Sequence, residues 1–420
     1  MNKYKHSIVT GLWILFTYLT VSCGHKKDAL PLNVIPVAGT VGNYSILNLS
    51  DYATEIKYIP LETNDSVLVG RISQISYENE KILTGHVTHS GIYYLFDKNG
   101  KFCCQIGQSG QGPGDYLLAG QTFMHENLIY INDPRKTLIF DTTGYLVERI
   151  NLWSNDIPAE YGELGARVLP LKKDTFVLDP VTVMGYYPKA VLLEAHPSGA
   201  KMIKEYPAYV PLDKIRPGIL GIERGIMYRF KDELRTYKVM NDTVFTIDQN
   251  TDLKEAFIFE FGKFKPAISL LERKEENSNG SISGVLEKHI YPLSIFESSN
   301  HLFIGFSFGN HSPEPVESTS RQGQQYVQTY VYGVFDKHTG ELALMHQPVK
   351  GKLGFKNDID NGPVIWPQYI SSSNELVTHI SAEEFLDYYK KTENPTSQMT
   401  ETAECISWDD NPVVIIAKLK

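Results

Sequence analysis

The chain has 420 residues, 42% hydrophobic and 21% charged, with 40 basic side chains against 49 acidic ones. The two fractions lie close to globular averages, and the acidic excess, without a basic stripe to displace counterions, disfavours nucleic acid as a partner. The length would suit several average domains, but closed β architectures run this long as one unit.

Residues 1–22 read as a signal peptide. Lys3 and Lys5 supply a positive start, residues 8–21 are an apolar run, and Thr20-Val21-Ser22-Cys23 follows. The run is shorter than the roughly 20 residues a spanning helix needs, so cleavage is expected rather than a retained anchor. The small residues before Cys23 fit a lipobox, in which the sulfur is acylated and the cysteine becomes the new N-terminus. Thr20 stands where Leu is usual, which leaves ordinary cleavage open. Loss of Lys3 and Lys5 leaves 38 basic against 49 acidic groups, a net charge of −11. A palmitate-type acyl anchor then holds the chain at a membrane surface with no spanning segment. Polar, Pro-containing residues 23–50 are expected to be a tether from Cys23, and residues 51–420 the folded domain.

Cys103, Cys104 and Cys405 are an odd and badly spaced set for disulfide staples. A vicinal bridge between Cys103 and Cys104 stays open beside the simpler reading of two small half-buried side chains, because strand neighbours point to opposite faces. No CxxC pair is present to build a zinc site.

From Ile56 onward, short apolar or alternating runs are broken by Gly, Asn, Asp and Pro, so the domain reads as all-β. One unit recurs: an apolar strand ending in an aromatic, then Asp, two or three polar residues, Gly and a second strand. It runs Tyr94-Leu95-Phe96-Asp97-Lys98-Asn99-Gly100, then Leu138-Ile139-Phe140-Asp141-Thr142-Thr143-Gly144, then Gly333-Val334-Phe335-Asp336-Lys337-His338-Thr339-Gly340. Looser copies surround Gly199 and Asp248. Asp caps such a turn through its own side chain, and Gly accepts the positive φ that closes it. Asp97 and Asp141 are 44 residues apart, a repeat length typical of propeller blades.

Those turns count five blades. The sixth is predicted from both chain ends, with Ile56-Lys57-Tyr58-Ile59-Pro60-Leu61 joining Pro412-Val413-Val414-Ile415-Ile416-Ala417-Lys418-Leu419 so that no edge stays open. The expectation is an all-β, six-bladed β-propeller with terminal-strand closure and small helical insertions. The insertions are residues 266–277, which begin with Pro, and 381–391, where Ser381 and Glu384 form a capping box.

Five segments carry a resemblance to a known family: Tyr58-Ile59-Pro60-Leu61-Glu62-Thr63, Phe96-Asp97-Lys98-Asn99-Gly100-Lys101-Phe102, Gly110-Gln111-Gly112-Pro113-Gly114-Asp115-Tyr116, Asn357-Asp358-Ile359-Asp360-Asn361-Gly362 and Asn411-Pro412-Val413-Val414-Ile415. The chain resembles the six-bladed propeller lipoproteins of gut anaerobes with two-membrane envelopes, distant kin of NHL-repeat propellers. The resemblance implies a propeller, a lipid anchor and a place beside envelope systems for nutrient capture, and it supplies no catalytic residues. Asp115 and Asn361 depart from the commoner Glu and Gly of the pattern.

Candidate site residues are few. The Gly-rich run 107–116 lacks the following helix and Lys of a phosphate cradle, so it is expected to connect two blades. Asp358 and Asp360 alternate as in a calcium loop but lack the distant bidentate Glu, which favours an Asx-rich turn over a metal site. His86 and His89 sit in a Gly-containing loop with nothing to orient them as ligands or proton carriers. Trp366 and Tyr369, with Tyr186 and Tyr187, are candidates for an aromatic platform that takes sugar or peptide.

Two functional readings follow. The leading one is a binding scaffold in the cell envelope, anchored in the outer membrane and facing the periplasm, that engages an envelope protein, peptide or glycan without a cofactor. The other is an NHL-like propeller lyase or hydrolase with a divalent cation on the central axis.

Overall fold

The computed structural model describes residues 31–85, 91–117, 122–133, 136–151, 157, 166–180, 190–196, 199–206, 225–239, 241–266, 286–319, 323 and 325–420. Its strands form where the sequence alternates or runs apolar, and they assemble into a six-bladed β-propeller. Blade 1 comprises Gln74–Glu78, Lys81–Gly85, Tyr93–Asp97 and Phe102–Gln105, and blade 2 comprises Thr122–His125, Leu128–Asp133, Lys136–Asp141 and Leu146–Asn151. Blade 3 follows with Ala166–Lys172, Thr175–Pro180, Ala190–Glu194 and Lys201–Tyr206. Blade 4 holds Ile226–Phe230, Glu233–Tyr237, Thr243–Ile247 and Leu253–Phe259; blade 5 holds Tyr291–Glu297, His301–Ser307, Tyr330–Asp336 and Leu342–Met345.

Blade 6 closes the ring as the sequence predicts. Tyr369–Ile370, Glu375–Ile380 and Val413–Leu419 come from the C-terminal end, and Ala53–Pro60 adds the outermost strand. It pairs antiparallel in the register Ile56 to Ala417, Tyr58 to Ile415 and Pro60 to Val413. The neighbouring signature residues meet at this seam. Asn411 donates through Nδ2 to the carbonyls of Glu62 at 2.7 Å and Val67 at 2.8 Å, and its backbone N–H donates to Thr63 Oγ1 at 2.9 Å.

The core is divided among six apolar clusters, one at each junction between adjacent blades. Period-2 alternation explains the division. On the last strand, Val413, Ile415, Ala417 and Leu419 face blade 5, whereas Val414 and Ile416 face blade 1. Each blade is therefore apolar on both faces, and neither face is buried until its neighbour is present.

All four predicted Asp turns form, and at the fifth turn the Gly199 N–H donates to His196 O at 3.0 Å. Asp97 Oδ1 accepts the N–H groups of Asn99 at 2.8 Å and Lys101 at 3.0 Å. Asp141 holds Thr143 and Tyr145 in the same way, and Asp248 holds Asn250 and Asp252. The glycine of the motif answers to a second constraint. Gly100 has φ +80°, and a Cβ there would lie 2.1 Å from the carbonyl oxygen of Pro60 on the preceding blade.

The tether expected over residues 23–50 is corrected from Val34 onward. Val34–Ile35 pairs in parallel with blade 4 at Ile258 and Phe259, and Tyr44–Ser45 pairs likewise with blade 5 at Leu344 and Met345. The short helix α1 (Val37–Thr40) lies between them, with Val37, Leu47 and Leu49 buried. The physical reason is the open outer edge of each blade, whose unpaired backbone groups the passing chain covers.

Helix α2 (Ala382–Lys391) forms as predicted, with the Ser381 side chain accepting Glu384 N–H at 3.1 Å. Helix α3 (Ser397–Glu404) was not legible, because its polar sequence carries no apolar stripe. Of the predicted helix 266–277, only the buried Pro266 falls among the described residues. Among the described residues no helix is long and apolar enough to cross a membrane. The Gly-rich run connects blades 1 and 2 as expected, with Asp115 Oδ2 accepting Gly112 N–H at 2.8 Å. Cys103 and Cys104 are free thiols, one exposed and one half-buried.

Candidate functional site

Antiparallel alternation makes the connections of a blade two kinds. The first-to-second and third-to-fourth turns leave one side of the disc and are short. Among the described residues, the second-to-third loops and the links between blades leave the other side, and those over blades 5 and 6 carry further elements. A two-stranded ribbon (Val316–Thr319 and Gln325–Gln328), the link 346–368, and helices α2 and α3 all arise there.

Between that link and α2 lies an open groove of about 860 Å³, within the size range of small-molecule sites. Helical spacing builds one wall. Ala382, Phe385 and Leu386 are buried, and the Phe385 ring meets Tyr58 edge-on at 5.0 Å between centroids. The positions between them, Glu383, Asp387 and Lys391 on one ridge and Glu384 and Tyr388 on the next, are left to line the groove.

The opposite wall is a tight turn of the link. Lys352 N–H donates to Val349 O at 2.8 Å, and Gly351 takes φ +81° in open space. Gln347 anchors the turn by donating to Glu314 from its backbone at 2.7 Å and from Nε2 at 2.8 Å, while its Oε1 accepts Gly351 N–H at 2.6 Å. From this turn the Lys352 ammonium crosses the groove to pair with Glu384, and it stands 4.8 Å from the centre of the Tyr388 ring. Burial alone would lower its pKa, but the Glu384 carboxylate outweighs burial and holds it above the ordinary lysine value. The lining carries four carboxylates, Glu383, Glu384, Asp387 and Glu393, against the ammoniums of Lys352 and Lys391. On the neighbouring strand, burial takes His379 down to about 4 against the opposing charge of Glu384, and its Nδ1 lies 2.6 Å from Gln368 Oε1.

The acidic loop singled out in the sequence braces this wall. Asp358 accepts Ser50 N–H at 2.9 Å and Ser50 Oγ–H at 2.6 Å. Burial opposes the charge on Asp358, yet the Ser50 donors prevail and hold its carboxyl below the usual range. Asp360 Oδ1 accepts Asn357 Nδ2 at 2.6 Å, Gly362 N–H at 3.0 Å and Tyr58 O–H at 3.1 Å. Between turn and helix, Thr392 Oγ1 donates to Asn361 O at 3.3 Å, so the loop ties the end of α2 to the outer strand of blade 6. The Asx-turn reading describes this geometry, and among the described residues no group of three or more His, Cys, Asp or Glu is placed to hold a metal.

The aromatic candidates separate. Trp366 stacks between Tyr332 at 4.4 Å and Phe355 at 5.5 Å, in the junction of blades 5 and 6. Tyr369 packs into the junction of blades 6 and 1, where its hydroxyl donates to Glu78 Oε1 at 2.6 Å. Burial, reinforced by Glu78, raises the Tyr369 pKa well above its ordinary value. Trp366 and Tyr369 therefore form no shared platform. His86, His89, Tyr186, Tyr187 and the lipidation candidate Cys23 lie outside the described residues. Lys352, Glu384, Asp387 and Tyr388 were missed by sequence reading. The available signal was the capped helix itself, a helical insertion in a β repeat whose polar face has no partner in the pattern.

Fold and groove together define a six-bladed β-propeller with one elaborated side. The chain belongs to the DUF4934 family, a domain of unknown function, whose model matches residues 32–418. No curated protein matches it. Among solved structures it is similar to an exported protein of Bacteroides fragilis, at 17% identity and TM-score 0.65 over 92% of this chain and 99% of that one. It is also similar to a DUF4221-family member from Bacteroides vulgatus, at 13% identity and TM-score 0.50 over 88% and 97% of the two chains. A virginiamycin B lyase from Staphylococcus aureus aligns at 11% identity and TM-score 0.35 over 70% and 89%, too loosely to carry chemistry across.

Proposed function

We propose that this protein is a cell-envelope lipoprotein, acylated at Cys23 and held on the outer membrane facing the periplasm, whose propeller is a ligand-binding or protein-interaction module serving nutrient capture. The observation that carries the binding reading is the groove over blade 6, a concavity of ligand size walled by a braced helix and an anchored turn. The leader sequence supports export, as does the fold shared with a protein described as exported.

Calorimetric titration of the mature domain with envelope oligosaccharides and short peptides tests the reading. Saturable binding that Asp387→Ala weakens is expected. A domain that binds none of them while turning over a substrate would end it. For the anchor, metabolic labelling with an alkyne fatty acid should mark the wild-type chain and leave Cys23→Ala unlabelled.

A further inference from the structure

We infer that the groove takes a lysine-bearing extended peptide, and that Lys352 occupies in advance the seat that the ligand's ammonium takes; this rests on the binding reading above. The seat is a carboxylate beside an aromatic face, the pairing that selects a cation over a neutral group. It is visibly competent, because the Lys352 ammonium already sits there, paired with Glu384 and 4.8 Å from the Tyr388 centroid. Lys352 reaches it on a flexible four-carbon stem, so its ammonium can leave the seat while the turn stays anchored through Gln347.

The rest of the lining favours a polymer of cations over a single one. Glu383 and Asp387 lie one helical turn apart, about 6 Å along the axis. Alternate side chains of an extended peptide repeat at about 6.6 Å. A segment with lysines at every second position thus sets one ammonium at Glu384 and Tyr388 and further ones along the neighbouring ridge. Glu393 extends the acidic lining beyond the helix end, while Lys391 limits it.

The test is a titration of the mature domain with a blocked pentapeptide carrying lysine at positions one, three and five, its glutamate counterpart, and a glucosamine oligomer. Lys352→Met removes the internal competitor, an interaction of the size of an exposed ion pair, so the lysine peptide should bind roughly two- to fivefold more tightly. Lys352→Arg, which keeps the cation, should stay near wild type, separating loss of charge from loss of fold. Glu384→Gln should weaken the lysine peptide by about tenfold or more. Unchanged or weaker binding in Lys352→Met overturns the inference, and so does a glucosamine oligomer that outbinds the peptide. If a neutral oligosaccharide binds in the groove without responding to Lys352, the inference falls while the binding reading stands; if no ligand binds any variant, both fall.

Discussion

The tight turns and the long connections of this propeller obey different rules. In the turns, each residue type is dictated twice, once by local geometry and once by the neighbouring blade. Asp97 caps its own turn, and Gly100 must both adopt φ +80° and leave room for the carbonyl of Pro60. In the long connections, contacts are made between segments far apart in sequence, as when Asp358 holds Ser50 and Asp360 holds Tyr58. Repetition stabilises the ring on one side, and the freedom to vary builds the groove on the other.

A pair of glycines breaks the comparison or confirms it. Gly100 and Gly351 share nearly the same backbone conformation, φ +80° and +81°, yet nothing lies within 4 Å of a Cβ on Gly351. Gly351→Ala should therefore cost only the left-handed backbone penalty, about 1 kcal/mol. Gly100→Ala adds a clash with backbone across the seam of blades 6 and 1 and should cost about 3 kcal/mol or more. Equilibrium urea unfolding of both variants measures the difference. Equal losses would mean that the turn glycines answer to φ alone.

Within the long connections, Asp360 is the position where one oxygen organises most. Replacing it with Ala removes the acceptor of the Gly362 N–H and the Tyr58 O–H and leaves Asn357 Nδ2 with only the Tyr58 oxygen, all buried or half-buried, for an expected loss of about 2 kcal/mol. Because Asn361 O receives Thr392 at the end of α2, the same change should loosen the helix. Faster amide exchange over residues 382–391 than over the blade strands would show it. Unchanged exchange there would separate the brace from the groove.

The sequence revealed what the repeat enforces. Asp97, Asp141, Asp248 and Asp336, and the pairing of Ile56 with the final strand, were readable because local chemistry and ring closure demand the same residues. The binding of residues 34–45 to the rim was not, since an added edge strand of two residues has no pattern of its own. Nor was the groove: Lys352 and Tyr388 lie 36 positions apart and meet only once the link and helix are folded. Trp366 and Tyr369 show the converse error, three residues apart and chemically alike, yet packed into junctions on opposite faces of blade 6.

The smallest expected effect belongs to His379, beside the groove. Burial takes its pKa down to about 4, below the ordinary value near 6.5, so the folded chain stays unprotonated where the unfolded chain takes up a proton. The neutral ring's contribution is thus complete above pH 6.5, falls as pH drops from 6.5 towards 4, and is gone below that. With the ring half-buried, screening reduces the change to on the order of 1 kcal/mol. His379→Gln keeps a polar partner for Gln368 Oε1 and cannot titrate. Urea unfolding at pH 7 and pH 4.5 should therefore show wild type losing about that much more stability than the variant, carboxylate losses being common to both. Parallel losses would mean that His379 titrates as a solvent-exposed ring and that the strand beside the groove is wetter than its packing indicates.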